Sequence, residues 1–217
     1  MFKHSLVEER SISAETTEKG RFYTTPEGNI YPSVTTFLSK VTDKSGLQGW
    51  IDRVGEEEAE HVKRRGATRG TALHLMCEKY VKNESDYARG VMPSIMELFM
   101  QVKPVLDRDL GTVLGIETPL YSDYLRLAGR CDMIAYFRGK RSIIDFKTTN
   151  WAKDMSMLEG YFIQESAYAI MFEELYGMGV SQLVTISAGE SERDAQVVVE
   201  HRDKWAPKLL ELRKQYG

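Results

Sequence analysis

The chain has 217 residues, of which 42% are hydrophobic, and a formal net charge of −3 at pH 7. That is enough apolar material for one self-supporting core, and the acidic total weighs against a protein that coats duplex DNA over its whole surface. Two cysteines, Cys77 and Cys131, are too few for a four-thiolate cluster and too far apart for a CxxC knuckle, which disfavours structural zinc and iron–sulfur clusters and fits a reducing compartment.

The opening "MFKHSLVEERSISAE" has neither an apolar signal-peptide core nor an Arg-rich transit pattern, and no apolar run reaches membrane-spanning length. The expected setting is therefore the cytoplasm of a bacterium or of a phage-infected host cell. After this polar start, "TTPEGNIYPSVTTFLSKV" predicts a turn or short hairpin at Pro26 to Asn29 and then a helix capped by Ser33 or Thr35. Helical composition runs from Leu47 to about Asn83, with a break expected near Gly66. Another helix is predicted from Ser94 to Leu110, with Pro93 at its start and a kink at Pro104. The middle of the chain changes character. "TVLGIETPLYS", "LRLAGRCDMIAYF" and "RSIIDFKTT" read as three consecutive strands. "DMSMLEGYFIQESAYAIMFEELYG" reads as an amphipathic helix with Gly177 at its C-terminal side, and the strands "QLVTIS" and "AQVVVEH" and a helix from Asp203 complete the order. The expectation is a single α/β domain over residues 1–217, with a mixed central sheet flanked by helices. It divides into a polar segment (1–30), a helical region (31–110), an αβ core (111–200) and a C-terminal helix (201–217).

The stretch "SIIDFKTTN" carries the functional signal. In a strand, Asp145 and Lys147 share one face while Ile144 and Phe146 share the other. If the preceding strand folds back through "RGKR" in a tight turn, antiparallel pairing sets Asp132 beside positions 145 to 147. Two carboxylates and a lysine then converge. Hard divalent cations such as Mg²⁺ take one or two protein carboxylates and leave positions for water and phosphate, and a lysine beside such an ion orients water and offsets charge at phosphorus. Taken alone, Asp-x-Lys in a strand is more often a surface ion pair. Its company is what matters: "RGTALH" places His74 on a helix, and "QESAY" places Gln164 and Tyr168 four apart on one helical face.

The order of "RGTALH", "GRCD", "DFK" and "QESAY" resembles the RecB-type branch of the PD-(D/E)XK nuclease superfamily. With "YPSVTTFLS" and "ETPLYSDYLRLAGRCD" included, it is similar to the phage exonucleases and mitochondrial genome maintenance exonucleases of that branch, over roughly Tyr31 to Tyr176. The resemblance implies a restriction-endonuclease-like core with a helical N-terminal region, and Asp132, Asp145, His74 and the Phe146 carbonyl as metal ligands. It also implies Lys147 as the catalytic lysine, Gln164 and Tyr168 at the active-site edge, and Glu117 as the acidic residue of the first core strand. Cys131 stands where the superfamily's proline would, although this branch often reads GxxD. His74 has a second reading as a core histidine held by hydrogen bonds, and Glu117 a second reading as a solvated strand residue. The cofactor implied is Mg²⁺ or Mn²⁺.

Substrate contact has to come from local charge. Lys63, Arg64, Arg65 and Arg69 before His74, with Arg130 on the meander, are the candidate DNA-binding residues; ordinary surface charge is the alternative. Trp50, Tyr31 and Phe37 could stack on bases, but such residues are more often core. The expected activity is a metal-dependent exonuclease acting on DNA ends, with a preference for single strands and with a recombination or replication protein as a partner. A structure-specific or restriction-type endonuclease, or a non-catalytic recombination scaffold, are the alternatives.

Overall fold

The computed structural model describes residues 1–42 and 45–216. Its N-terminal part is a small antiparallel sheet, β1 (Ser13–Thr17), β2 (Gly20–Thr24) and β3 (Ile30–Pro32). The predicted turn at Pro26 to Asn29 joins β2 to β3, while β1 falls in a stretch whose polarity concealed it: all five of its residues are exposed. Ser33 caps α1 (Val34–Val41), its hydroxyl accepting the Thr36 amide at 3.0 Å. Residues further upstream run beside the outer strand of the main sheet, where the Ser5 and Val7 amides donate to the Val113 and Leu114 carbonyls. This covers part of an otherwise open edge.

The helical region contains α2 (Ser45–Val54), α3 (Glu56–Val81) and α4 (Pro93–Asp109). The break falls at Gly55 and not at Gly66. Gly55 takes φ 88°, a conformation that costs other residues a Cβ clash, and Glu56, Glu57 and Glu58 follow it at the positive end of the new helix dipole. Gly66 has good helix formers on both sides and stays within α3. Pro93 sits in the first turn of α4, and the helix continues through Pro104.

The main sheet has the order β4 (Leu110–Ser122), β5 (Leu127–Phe137), β6 (Lys140–Thr149), β7 (Gln182–Gly189) and β8 (Gln196–His201). The β4–β5–β6 meander is antiparallel, β6 and β7 are parallel, and β8 returns antiparallel. A parallel neighbour needs a crossover, which α5 (Met155–Tyr176) provides before Gly177 ends it at φ 66°. The last helix, α6 (Arg202–Tyr216), packs on α5 through the stacked rings of Phe162 and Trp205; Gly217 lies outside the described residues.

Helices cover both faces of this mixed sheet. Phe37 of α1, Phe162 and Phe172 of α5 and Leu209 of α6 close over Ile143 and Leu183 on one face. Leu73 and Met76 of α3, with Phe99 and Val102 of α4, close over Ile144, Phe146, Val184 and Ile186 on the other. Each such side chain contributes roughly 1.5–3 kcal/mol on burial. Both faces of β6 are thus packed, so any charge in its middle has to be met by partners. Tyr31 and Phe37 belong to the core, as the commoner reading expected.

Candidate active site

Pairing between β5 and β6 ends at Met133 opposite Ile144, one residue short of Asp132 and Asp145. There the side chain takes over from the backbone, and the Phe146 amide donates to Asp132 Oδ2 at 2.9 Å. Cys131 and Ile134 pack in the α5-side core while Met133 and Ala135 pack in the α3-side core. Strict alternation is therefore interrupted at Asp132, and its carboxylate reaches toward α3.

His74 of α3 meets it. Its Nδ1 lies 3.3 Å from Asp132 Oδ2, and its Nε2–H donates to the Phe146 carbonyl at 2.5 Å. The carbonyl fixes the ring and leaves Nδ1 as the atom able to bind an ion. Burial opposes a charged imidazole here, but the hydrogen bond and charge of Asp132, aided by Asp145, outweigh it and raise the His74 pKa to about 9. Asp132 is correspondingly held below its ordinary value: His74 and Lys147 overcome a burial that pushes the other way.

Glu117 comes from β4. Ile116 pairs with Met133 and Thr118 with Cys131, which sets Glu117 against Asp132. Its φ is 50°, a left-handed conformation in the middle of a strand. Burial and the Asp132 and Glu78 charges push its pKa up to about 6, with His74 and Arg130 opposing. Single donor atoms of His74, Glu117 and Asp132 all lie within 4.8 Å of one another. A carboxylate raised by a neighbouring carboxylate is what a bound cation would relieve, and the donor set of two carboxylates and an imidazole suits a divalent ion.

Asp145 stands beside this cluster with different partners. Only 2% exposed, it pairs through Oδ2 with the Lys147 ammonium, and Oδ1 accepts from Gln164 Nε2 at 3.3 Å. Burial pushes Asp145 up to about 6 despite the pull of Lys147, which still leaves a carboxylate at pH 7. Lys147 is held above its ordinary value, since Asp145 and Asp132 outweigh its burial; it is an ammonium, suited to holding a water or an oxyanion rather than to removing a proton. Gln164 Nε2 also lies 3.5 Å from the Tyr168 hydroxyl. The Phe146 carbonyl, which has two lone pairs, accepts His74 and keeps a second acceptor site.

The sequence-predicted residues therefore assemble as two adjoining groups, His74–Glu117–Asp132 and Asp145–Lys147–Gln164–Tyr168, joined through Phe146. Three neighbours carried no sequence signal. Glu165 is fully buried; its Oε1 accepts from Thr185 at 2.5 Å while Oε2 has no hydrogen-bond partner among the described residues, and burial drives its pKa far up. On a helix as extensively buried as α5, apolar spacing cannot say which polar residue points inward. The Tyr161 ring stands against Lys147, and Lys153 against the same ring. The two thiols take no part: Cys77 and Cys131 are fully buried, which pushes both well above the ordinary thiol range.

The basic candidates extend from this site along α3. A Cβ on Gly70 would lie 3.7 Å from the Thr148 hydroxyl, and Arg69 donates to Asn150 Oδ1, so the helix follows the end of β6 outward. There Arg64, Arg65 and Arg69 line a cleft of about 900 Å³ with Met92 just before α4, Met96 within it, and Arg193. Glu190 occupies two of these arginines, at 3.0 Å from Arg65 and 2.6 Å from Arg69. Lys63 is exposed and pairs with Glu60; Arg130 lies 4.0 Å from Glu117 at the rim of the acidic cluster. Among the described residues no helix is long and apolar enough to cross a membrane.

Comparison with solved structures finds a candidate exonuclease from Eubacterium rectale at 13% identity, covering 68% of each chain with a TM-score of 0.41. The structure of SSO0001 matches at 16% identity over 65% of this chain and 74% of its own, with a TM-score of 0.29. No curated protein matches. The family model of the PD-(D/E)XK nuclease superfamily matches residues 61–216, the span that holds His74, the sheet and α5. The chain belongs to the PD-(D/E)XK nuclease superfamily.

Proposed function

We propose that this metal-dependent nuclease is an exonuclease that hydrolyses DNA from free ends, with a preference for single strands, using the whole chain as one nuclease domain. The observation that carries the reading is the joining, at one sheet position, of the His74–Glu117–Asp132 donor set to the Asp145–Lys147 ion pair. Members of the superfamily use divalent metal ions. Asp132, Glu117 and His74, with Asp145 and the Phe146 carbonyl beside them, are the residues that would hold Mg²⁺ or Mn²⁺, and the ion would polarise the scissile phosphate and acidify a water. Lys147 holds that water and offsets charge growing on the phosphoryl oxygens. Gln164 keeps the Asp145 carboxylate oriented, and Tyr168 supports Gln164 from the next turn. Lys63, Arg64, Arg65, Arg69 and Arg130 supply contacts to the phosphate backbone.

The end-dependent reading rests on the motif order; a role in phage or bacterial DNA recombination or repair follows from the same resemblance. The test uses end-labelled linear single strands, blunt duplex and closed circular single strands, each with Mg²⁺, Mn²⁺ or EDTA. Loss of linear strands with circles intact, absent in EDTA and in Lys147→Ala, is the expected result. Cleaved circles would replace the exonuclease with an endonuclease, and binding without cleavage would support a scaffold.

A further inference from the structure

The loop between β6 and α5 brings a second lysine to the site. Lys153 is held at its backbone by one side chain of β8: its amide donates to Gln196 Oε1 at 3.0 Å, and Gln196 Nε2 donates to its carbonyl at 2.7 Å. The primary amide imitates a strand partner, satisfying both backbone groups of a residue outside the sheet. The preceding residue is tied as well, the Ala152 amide donating to Glu192 at 3.0 Å.

From that anchor the Lys153 ammonium donates to the Tyr161 hydroxyl at 2.5 Å and lies 4.7 Å from the Tyr161 ring centroid. The Lys147 ammonium lies 4.9 Å from the same centroid. Tyr161 is three residues before Gln164 and seven before Tyr168, so all three share one face of α5. The two ammonium groups both stand against the one ring. Lys147 is compensated by Asp145, whereas Lys153 makes no salt bridge among the described residues; a phenol is its partner. A half-buried cation set by backbone clamps beside a phosphodiester-cleaving centre, and left without a carboxylate, is arranged to receive an anion.

We propose that Lys153 is a substrate-binding cation that grips a phosphate of the bound strand next to the one being cut, and that Tyr161 is a positioning residue for both lysines. The phenol oxygen sets Lys153, and the ring face sets Lys147. This rests on the reading that the site cleaves DNA. The two roles of Tyr161 are separable: a phenylalanine keeps the wall for Lys147 and loses the anchor for Lys153, while a leucine loses both.

The experiment measures binding of a fluorescent single-stranded oligonucleotide in EDTA over a series of salt concentrations, together with Mg²⁺-dependent kcat and KM, for Lys153→Ala, Lys153→Gln, Lys153→Arg, Tyr161→Phe and Tyr161→Leu. Loss of Lys153 should weaken binding about tenfold and reduce the magnitude of the log Kd against log salt slope by about 0.7, one single-strand phosphate. Lys153→Arg should restore that slope, and kcat should remain near wild type in the three Lys153 variants. Tyr161→Phe should reproduce the affinity loss of Lys153→Ala with kcat kept, and Tyr161→Leu should lower kcat as well. A wild-type salt slope and KM in both Lys153→Ala and Lys153→Gln, with cleavage intact, would overturn this inference alone; a wild-type protein that neither binds nor cuts DNA would overturn it together with the proposed function.

Discussion

Gly129 lies directly against the ring of Tyr168: a Cβ built on Gly129 would stand 2.8 Å from Tyr168 Cε1 and 3.0 Å from its hydroxyl. The first residue of "GRCD" is therefore a glycine because a ring from α5 occupies the space a side chain would need. Since Tyr168 contacts Gln164, and Gln164 contacts Asp145, crowding at Gly129 is transmitted to the Asp145 carboxylate. Gly129→Ala should cost about 1–3 kcal/mol by overpacking and reduce cleavage at least tenfold. In a double-mutant cycle, Gly129→Ala should cost less in a Tyr168→Ala background than in the wild type, because the ring it collides with is gone. Equal melting temperatures for wild type and Gly129→Ala would show that the ring moves aside freely.

The Asp145–Lys147 pair is buried on the carboxylate side and mostly buried on the lysine side, so removing one member leaves a desolvated charge. Lys147→Met should abolish cleavage and cost about 3 kcal/mol at pH 7. The unpaired Asp145 would titrate above its already raised value, so the loss should shrink as pH falls toward 5 and the carboxyl becomes neutral. The double variant Asp145→Asn with Lys147→Met should regain stability at pH 7 without regaining activity. Chemical denaturation of the wild type and the two variants at pH 5 and pH 7 makes the comparison, and a pH-independent penalty for Lys147→Met would contradict it.

Glu165 is buried with one oxygen unpartnered, and burial raises its pKa well above the ordinary value. A carboxyl whose folded pKa is raised favours the fold while protonated. Its contribution is present below the unfolded pKa of about 4.3 and is lost as pH rises toward the folded value. Glu165→Gln, which keeps the shape and the Thr185 hydrogen bond, should match or exceed wild-type stability at pH 7, and the difference should diminish at acid pH. Melting temperatures that differ by the same amount at pH 5 and pH 8 would argue against a neutral Glu165.

Glu117 holds φ 50° within β4, a conformation that costs a non-glycine residue of order 1 kcal/mol or more. Strain of this kind persists where function needs the side chain. Glu117→Gly should leave the metal-free protein as stable as wild type or more so, because glycine adopts this conformation freely. It should also reduce the rise in melting temperature that Mn²⁺ produces by binding the folded state. Stripping the wild-type protein with EDTA should bring the two proteins to the same ordering. An undiminished Mn²⁺ effect in Glu117→Gly would remove this residue from the ion-binding set.

The elements were mostly legible in the sequence because their causes are local. Ser33 as cap, Pro93 in a first turn, Gly177 as a helix stop and the apolar strands of the meander each act within a few residues. So did the alternation that sets Asp145 and Lys147 on one face of β6. The misplaced helix break has a local explanation too: two glycines, Gly55 and Gly66, compete for it, and the second stays helical between good helix formers. What no local rule could supply is the set of partners. Register sets Glu117 against Asp132, the end of the β5–β6 ladder turns the Asp132 carboxylate to the Phe146 amide, and the crossover of α5 brings Glu165, Tyr161 and the Lys153 loop to residues in another strand. The sequence by itself determined the local elements and which acids, lysine and histidine stand at motif spacing, because residue type and short-range spacing are written in it. Only the tertiary structure decided which of them meet and in what charge state, because burial and the approach of elements from distant parts of the chain set both.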